Sequence, residues 1–135
     1  MKKLICAFSL LVLAASGAVA AGFPDIKLVD LKKEIAAKNV TVIDVNGPAS
    51  YEAGHIPSAL DYSAVKDDLA AKLPKDKGAL IVAYCANPHC PAYAKAAKAA
   101  EALGYTNVKH FSDGIDGWKK AGEPTEKATA PAAKS

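Results

Sequence analysis

Arginine is absent from this chain of 135 residues, whose 17 basic residues are all lysine. The absence excludes sites that depend on a guanidinium group, which binds carboxylate or phosphate through two parallel hydrogen bonds. Any anion bound by this chain must therefore be held by other cationic side chains, by neutral polar groups or by backbone N–H groups.

A strong net charge is also lacking. The formal net charge is +3, and loss of the lysines at positions 2 and 3 leaves 15 lysines against 14 acidic residues, a net charge of +1. Proteins that bind nucleic acid present a clustered basic face. The near balance of charge in this chain predicts no nucleic-acid partner.

No apolar run is long enough to favour a membrane span. The run at residues 4–15 follows two lysines and precedes the small-residue pattern Ala-Val-Ala at 18–20. This order is typical of a secretory signal peptide, whereas a membrane helix needs about 20 apolar residues. We therefore predict a signal peptide at residues 1–20, no stable membrane span after its removal, and a periplasmic or secreted location.

Cysteine is scarce, and the chain without the signal peptide keeps two, Cys85 and Cys90. Mostly apolar residues at 80–84 predict a buried strand just before Cys85. The alanine-rich run at 92–103 predicts a helix, and Pro91 suits the first turn of a helix. Cys85 should therefore leave a strand close to a helix N-terminus, a place that favours negative charge. It is a candidate thiolate nucleophile.

Strands and helices alternate along the rest of the chain, which predicts one α/β domain over residues 21–122 with a mostly parallel sheet. Residues 123–135 lack large apolar groups, and we predict a disordered tail there. Further strands are predicted at 26–28, 40–45 and 105–111, and residues 55–61 are predicted to lead into another short strand. Further helices are predicted at 31–38, 50–53, 65–73 and 115–120.

The order and spacing of five segments carry a family resemblance. They are Val-Ile-Asp-Val at 42–45, Tyr-Glu-Ala-Gly-His-Ile-Pro-Ser-Ala at 51–59, Ala-Tyr-Cys at 83–85, Leu-Gly-Tyr-Thr-Asn-Val at 103–108 and Gly-Ile-Asp-Gly-Trp at 114–118. With these segments the chain resembles a single rhodanese-like (sulfurtransferase) domain with a Cys-x4-Cys active loop. The resemblance implies a three-layer α/β fold with a mostly parallel five-stranded sheet flanked by helices.

The resemblance places Cys85 at the position of the family's sulfur-carrying cysteine. It implies that the Cys85 thiolate takes a sulfane sulfur from a small donor such as thiosulfate and holds it as a persulfide. The sulfur then passes to an acceptor thiol, either on a small molecule or on a protein. The reaction needs no cofactor. Ala86, Asn87 and His89 would bind the substrate from the loop of backbone N–H groups after the cysteine. Asp44 ends another predicted strand, where open α/β sheets place their ligands. It would contribute to substrate binding there or accept hydrogen bonds from backbone donors near the loop, rather than perform acid–base work.

Three positions depart from the family pattern. Cys90 stands where members that handle thiosulfate often have arginine or lysine, and Asn46 stands where the family usually has arginine. Pro88 has no N–H to offer an anion. Binding of an anionic donor is therefore predicted to be weak. Lys95, one turn into the predicted helix, is either a substitute cation or part of a solvated helix face.

Cys90 leaves several chemistries open. As a resolving thiol it would attack a persulfide or sulfenic acid on Cys85 and form a disulfide. The pair could instead be a stabilising disulfide of a secreted protein. His89 and His110 could join the cysteines around a metal ion, but the spacing is not that of common metal sites and no metal site is predicted. The alternative to an enzyme is a non-catalytic rhodanese fold that serves as a redox, metal-binding or partner-binding module.

Overall fold

The computed structural model describes residues 22–128. The predicted signal peptide at residues 1–20 lies outside this part of the chain, as do residues 129–135 of the predicted tail.

In the described part of the chain, four parallel strands form one sheet. β1 (Val40–Asp44) and β3 (Leu80–Tyr84) pair at its centre, while β2 (Leu60–Asp61) adjoins β1 and β4 (Val108–Phe111) adjoins β3. The central strands are rich in β-branched and aliphatic residues, which suit strands that are covered on both faces. Because all four strands run in one direction, their carboxyl ends meet at one edge of the sheet.

Helices cover both faces of the sheet, and this three-layer α/β architecture confirms the predicted fold class. A 3-10 turn at Lys66–Asp68 joins the third helix to the fourth. Within residues 22–128 the helices are α1 (Leu28–Ala36), α2 (Pro48–Ala53), α3 (Tyr62–Val65), α4 (Leu69–Lys72), α5 (Tyr93–Ala102) and α6 (Gly114–Lys120).

Two apolar clusters, one on each face of the sheet, hold the layers together. On one face, Leu31 of α1 and Trp118 of α6 share a buried cluster with Tyr84 of β3. On the other face, Ala97 of α5 shares a cluster with Ile81 of β3. The alternation of side chains along a strand explains this division, because successive residues of β3 point to opposite faces. The residue after Tyr84 is Cys85, so the candidate nucleophile lies where this buried strand ends.

The predicted fifth strand at residues 26–28 is replaced by a single bridge. Asp25 pairs in parallel with His110 of β4. The N–H of Ile26 donates to the His110 carbonyl at 2.8 Å, and the N–H of His110 donates to the Pro24 carbonyl at 2.8 Å. Pairing stops there because Pro24 has no N–H and α1 already begins at Leu28. The prediction of five strands was therefore wrong in one respect: the short edge strand at residues 26–28 does not form.

Two boundaries also differ from the prediction. The helix predicted at 65–73 is divided into shorter turns, α3, the 3-10 turn and α4. The start of the predicted disordered tail is ordered: the Trp118 Nε1–H donates to the Pro124 carbonyl at 2.8 Å, and Glu126 forms an antiparallel bridge with His55. The folded part of the chain therefore extends past residue 122. Among residues 22–128, no helix is both long and apolar enough to cross a membrane.

Candidate active site

The backbone at Cys85 continues from β3 and is fixed by α6. Cys85 is only 3% exposed. Its carbonyl oxygen accepts a hydrogen bond from the Ile115 N–H at 3.0 Å, and the Ala86 carbonyl oxygen accepts one from the Asp116 N–H at 2.9 Å. The first N–H groups of a helix have no partners within the helix. The start of the Cys85 loop therefore caps α6.

Gly114 allows this close approach. Its φ angle is +62°, and a Cβ atom there would lie 2.5 Å from the Ala86 carbonyl oxygen and 2.6 Å from the Cys85 carbonyl oxygen. Glycine combines the left-handed backbone with room for these two carbonyl groups. The first residue of α6 is thus fitted to the backbone of the candidate nucleophile.

A disulfide joins Cys85 to Cys90, with 6.0 Å between the two Cα atoms. This separation lies within the range of about 4.4–6.8 Å that disulfides span. The two sulfur atoms therefore reach each other without leaving the loop. The geometry fits both the resolving role and the stabilising role that the sequence leaves open for Cys90.

The loop between the cysteines offers few backbone N–H groups to an anion. Pro88 has none. The His89 N–H donates to Asn87 Oδ1 at 3.1 Å, and the Cys90 N–H donates to the Asn87 carbonyl at 3.1 Å. Among residues 86–90, this leaves the N–H groups of Ala86 and Asn87 outside the turn's own hydrogen bonds. The N–H cradle that the resemblance implies is correspondingly small.

Asp44 ends β1 opposite Tyr84 and is 1% exposed. One carboxylate oxygen accepts the Asn46 N–H at 2.7 Å, and the other accepts the Tyr84 hydroxyl. Burial raises the pKa of Asp44 above 3.8, and these hydrogen bonds partly oppose the rise. Because both oxygens are already bonded within the protein, substrate binding by Asp44 stays a prediction.

Tyr84 connects this carboxylate to the chain after α2. Its hydroxyl oxygen accepts the Ile56 N–H at 3.1 Å while its O–H donates to Asp44. Burial and the neighbouring Asp44 raise the pKa of Tyr84 far above its ordinary value, so the hydroxyl stays protonated and keeps donating. The residue directly before Cys85 is therefore held by a buried polar network.

Apart from the two cysteines joined in the disulfide, the candidate metal ligands form no cluster in the described part of the chain. Among residues 22–128, no group of three or more His, Cys, Asp or Glu side chains is arranged to hold a metal ion. His89 is exposed on the loop. His110 lies on β4 with its ring stacked on Tyr93 of α5, the ring centroids being 3.3 Å apart. Burial lowers the pKa of His110, against the opposing effect of Asp25.

A protein-family model described as a rhodanese-like domain matches residues 27–121. The chain belongs to the rhodanese-like domain family. An HTH-type transcriptional regulator of Mycobacterium tuberculosis is 34% identical over 116 residues, which are 84% of this chain and 50% of that protein. The chain thus spans about half the length of that curated relative.

Solved structures agree with the family's fold. The solution structure of a rhodanese-like domain from Anabaena is 24% identical, covers 83% of this chain and 87% of its own, and superposes with a TM-score of 0.62. A human single-domain sulfurtransferase is 20% identical, covers 73% of this chain and 97% of its own, and has a TM-score of 0.56. At these identities the likeness establishes the shared fold.

Positions that differ from the usual rhodanese pattern carry no compensating cation. Asn46 replaces the usual arginine after β1, and its Nδ2 is buried without a hydrogen-bond partner among the described residues. Cys90, in the place of a second basic residue, is bonded to Cys85. Lys95 is exposed on α5. Its exposure favours the solvated helix face over a substitute for arginine.

The structural part played by α6 and Tyr84 was not found from the sequence. The segment Gly-Ile-Asp-Gly-Trp at 114–118 supported the resemblance, yet nothing in it indicates that it is capped by the carbonyls after β3. The sequence identifies Tyr84 only as one residue of a buried strand. A hydroxyl-bearing side chain in an otherwise aliphatic strand was the available signal, since a buried hydroxyl requires a partner.

Proposed function

We propose that the reduced chain is a rhodanese-like sulfurtransferase that carries sulfane sulfur as a persulfide on Cys85, with Cys90 as the resolving thiol. The observation that carries the proposal is the short loop in which the two sulfur atoms meet. Its first residue follows the central strand and is fixed by α6, and its last residue reaches back to the first sulfur.

The proposed reaction has two steps. The Cys85 thiolate first attacks the outer sulfur of thiosulfate; the new sulfur–sulfur bond forms, the donor's own sulfur–sulfur bond breaks, and sulfite leaves with the electron pair. The Cys90 thiolate then attacks the Cys85 sulfur, the disulfide forms, and hydrosulfide leaves. An external thiol reductant supplies two electrons to restore both thiols. The chain would thus release the carried sulfur as sulfide.

The small N–H cradle bears on the choice of donor. Thiosulfate is a dianion, and neither a guanidinium group nor a full ring of N–H groups is there to hold it. Hydrogen bonds to charged groups contribute about 1.5–3 kcal/mol each, so the loss of one lowers affinity about tenfold or more. We therefore propose a sulfur donor of lower negative charge, such as an organic persulfide, as a better donor than thiosulfate, acting in the periplasm or outside the cell.

Intact-mass measurement on reduced protein comprising residues 21–135 tests this function. The protein is incubated with thiosulfate, 3-mercaptopyruvate or a polysulfide, beside the matched variants Cys85→Ser and Cys90→Ser. We expect a gain of one sulfur atom that Cys85→Ser abolishes. The gain should persist longer in Cys90→Ser, because no second thiol then displaces the sulfur.

The second candidate is a rhodanese fold that serves as a redox or partner-binding module without sulfur transfer. The hydrogen bonds that Asn87 accepts from His89 and Cys90 favour it, because they use N–H groups that an anionic substrate would need. The same measurement decides between the two functions. If no donor adds sulfur and mild oxidation only removes two hydrogen atoms, the sulfurtransferase is excluded and the module remains.

A further inference from the structure

The two cysteines of the disulfide differ in their exposure to solvent. Cys85 is 3% exposed, since it continues a strand that is buried on both faces. Cys90 is partly exposed, and His89 and Pro91 on either side of it are exposed. A thiolate that breaks a disulfide must reach the sulfur it attacks, whereas the sulfur that leaves can be buried.

The two ends of the loop also differ in how they are held. The carbonyls of Cys85 and Ala86 are bonded to N–H groups of α6. Cys90 is held by a hydrogen bond to the Asn87 carbonyl, which belongs to the loop itself. The Cys85 end is therefore fixed by a helix that is distant in sequence. The Cys90 end is held by its own turn, by the disulfide and by the chain that continues into α5, where the Ala94 N–H donates to the Pro91 carbonyl at 3.1 Å.

From these two differences we propose that external thiols enter the disulfide at Cys90, with Cys85 as the leaving group. The attacking thiolate forms a bond to Cys90 Sγ, the bond between Cys90 and Cys85 breaks, and the electron pair leaves with Cys85 as a thiolate. The product is a mixed disulfide between the reductant and Cys90.

The chemistry of the reductant follows from the return reaction. The released Cys85 thiolate remains close to Cys90, since the two Cα atoms are 6.0 Å apart when the disulfide is closed. It can attack the mixed disulfide and expel a monothiol again. A dithiol avoids this return, because its second thiol attacks its own bonded sulfur and releases Cys90 as a thiolate. The fitting partner is therefore a dithiol reductant, which gives up two electrons and becomes a disulfide.

Peptide mapping of the oxidised wild-type protein tests the point of entry. The protein is oxidised in air, incubated briefly with reduced glutathione, quenched with acid and alkylated. After digestion with trypsin, the peptide 78–95 contains both cysteines, and fragmentation in the mass spectrometer locates the glutathione. We expect glutathione on Cys90 and the alkyl group on Cys85 in an excess of about tenfold or more.

Matched single-cysteine variants give a second measurement. Reduced Cys85→Ser keeps the partly exposed thiol of Cys90, and reduced Cys90→Ser keeps the buried thiol of Cys85. We expect oxidised glutathione to modify Cys85→Ser about tenfold faster. In the wild-type mapping, an excess of glutathione on Cys90 that is smaller than about tenfold, or glutathione mainly on Cys85, would overturn the proposal. This result does not depend on whether both variants fold.

A third measurement tests the class of reductant. At equal thiol concentration, we expect dithiothreitol to reduce the wild-type disulfide at least about tenfold faster than glutathione. Equal rates would overturn the assignment of a dithiol partner. The inference rests on the proposed function in one respect, which is that sulfur transfer supplies the step that forms the disulfide. No sulfur donor is used in these experiments, so their outcome is separate from that of the sulfur-transfer experiment.

Discussion

The first and second halves of the loop after β3 are built differently. Residues 85–87 form what we call the anchored half, whose carbonyls at Cys85 and Ala86 bond to α6. Residues 88–91 form the open half, where Pro88, His89 and Pro91 are exposed. One short loop thus holds one cysteine in the protein interior and leaves the other partly exposed. In the proposed function, sulfur storage and thiol exchange would then use different sulfur atoms.

The anchored half should be most sensitive to Gly114. In Gly114→Ala, the new Cβ would lie 2.5 Å from the Ala86 carbonyl oxygen on a backbone with a φ of +62°. We expect a loss of about 2–5 kcal/mol in the free energy of unfolding, from backbone strain and overpacking together. Urea unfolding of the oxidised protein measures this loss.

Gly122 offers a matched control for the same substitution. Its φ angle is +78°, yet no atom lies within 4 Å of the position its Cβ would take. Gly122→Ala should therefore cost only the strain of the left-handed backbone, about 1–2 kcal/mol. If the two variants lost equal stability, the contact between Gly114 and the loop would not be what holds the anchored half.

Substitution of Tyr84, at the end of the strand before Cys85, should lower the free energy of unfolding. Tyr84→Phe removes the hydroxyl that donates to Asp44 and accepts the Ile56 N–H, and it leaves both groups buried without that partner. We expect a loss of about 1–3 kcal/mol. A double-mutant cycle with Asp44→Asn, measured by urea unfolding, should show that the two losses are not additive. Simple additivity would contradict a direct bond between the two side chains.

The pH dependence of the free energy of unfolding should show that the pKa of Asp44 is raised in the folded protein. Burial raises its pKa in the folded protein above 3.8, so the folded state binds the proton more tightly than the unfolded state does. The stability this carboxyl contributes is therefore complete at low pH and is lost as the pH rises through the folded-state pKa. Each unit of upward shift corresponds to about 1.4 kcal/mol.

Asp44→Asn supplies the reference for that measurement, because asparagine does not titrate. The wild type minus Asp44→Asn difference in unfolding free energy should fall as the pH rises from 3 to 7. A difference that stays constant or grows over this range would show that the folded-state pKa is not raised.

The sheet, most of its strands and the position of Cys85 could be predicted from the sequence because each depends on local pattern. The β-branched run at residues 40–45 and the apolar run at 80–84 indicate buried strands wherever they occur. The helix after Pro91 follows from alanine content in the same way. Such signals need no knowledge of which segments meet in space.

The anchoring of the loop could not be predicted, because it depends on a contact between segments that are distant in sequence. The value of a glycine at 114 appears only when the carbonyls of Cys85 and Ala86 are placed against it. The absence of the predicted strand at residues 26–28 has a similar cause. Pro24 limits its pairing on one side and the start of α1 at Leu28 limits it on the other. The apolar character of residues 26–28 indicates neither limit.

Asn87 lies at the boundary between the two halves and should have the smallest effect. Its Oδ1 accepts the His89 N–H at 3.1 Å, and its Nδ2 lies 3.4 Å from a carboxylate oxygen of Asp116. Both contacts are exposed to water, so Asn87→Ala should cost only about 0.5–1 kcal/mol. The backbone bond from Cys90 to the Asn87 carbonyl is retained, while the open half loses its side-chain support.

This loosening should favour entry of thiols. We expect the rate of mixed-disulfide formation at Cys90 to rise about two- to fivefold in Asn87→Ala, since the attacked sulfur becomes easier to reach. Asn107→Ala, an exposed asparagine ahead of β4, serves as the control and should leave the rate unchanged. A fall in the rate, or a loss of stability as large as that of Gly114→Ala, would mean that the open half is as firmly built into the domain as the anchored half.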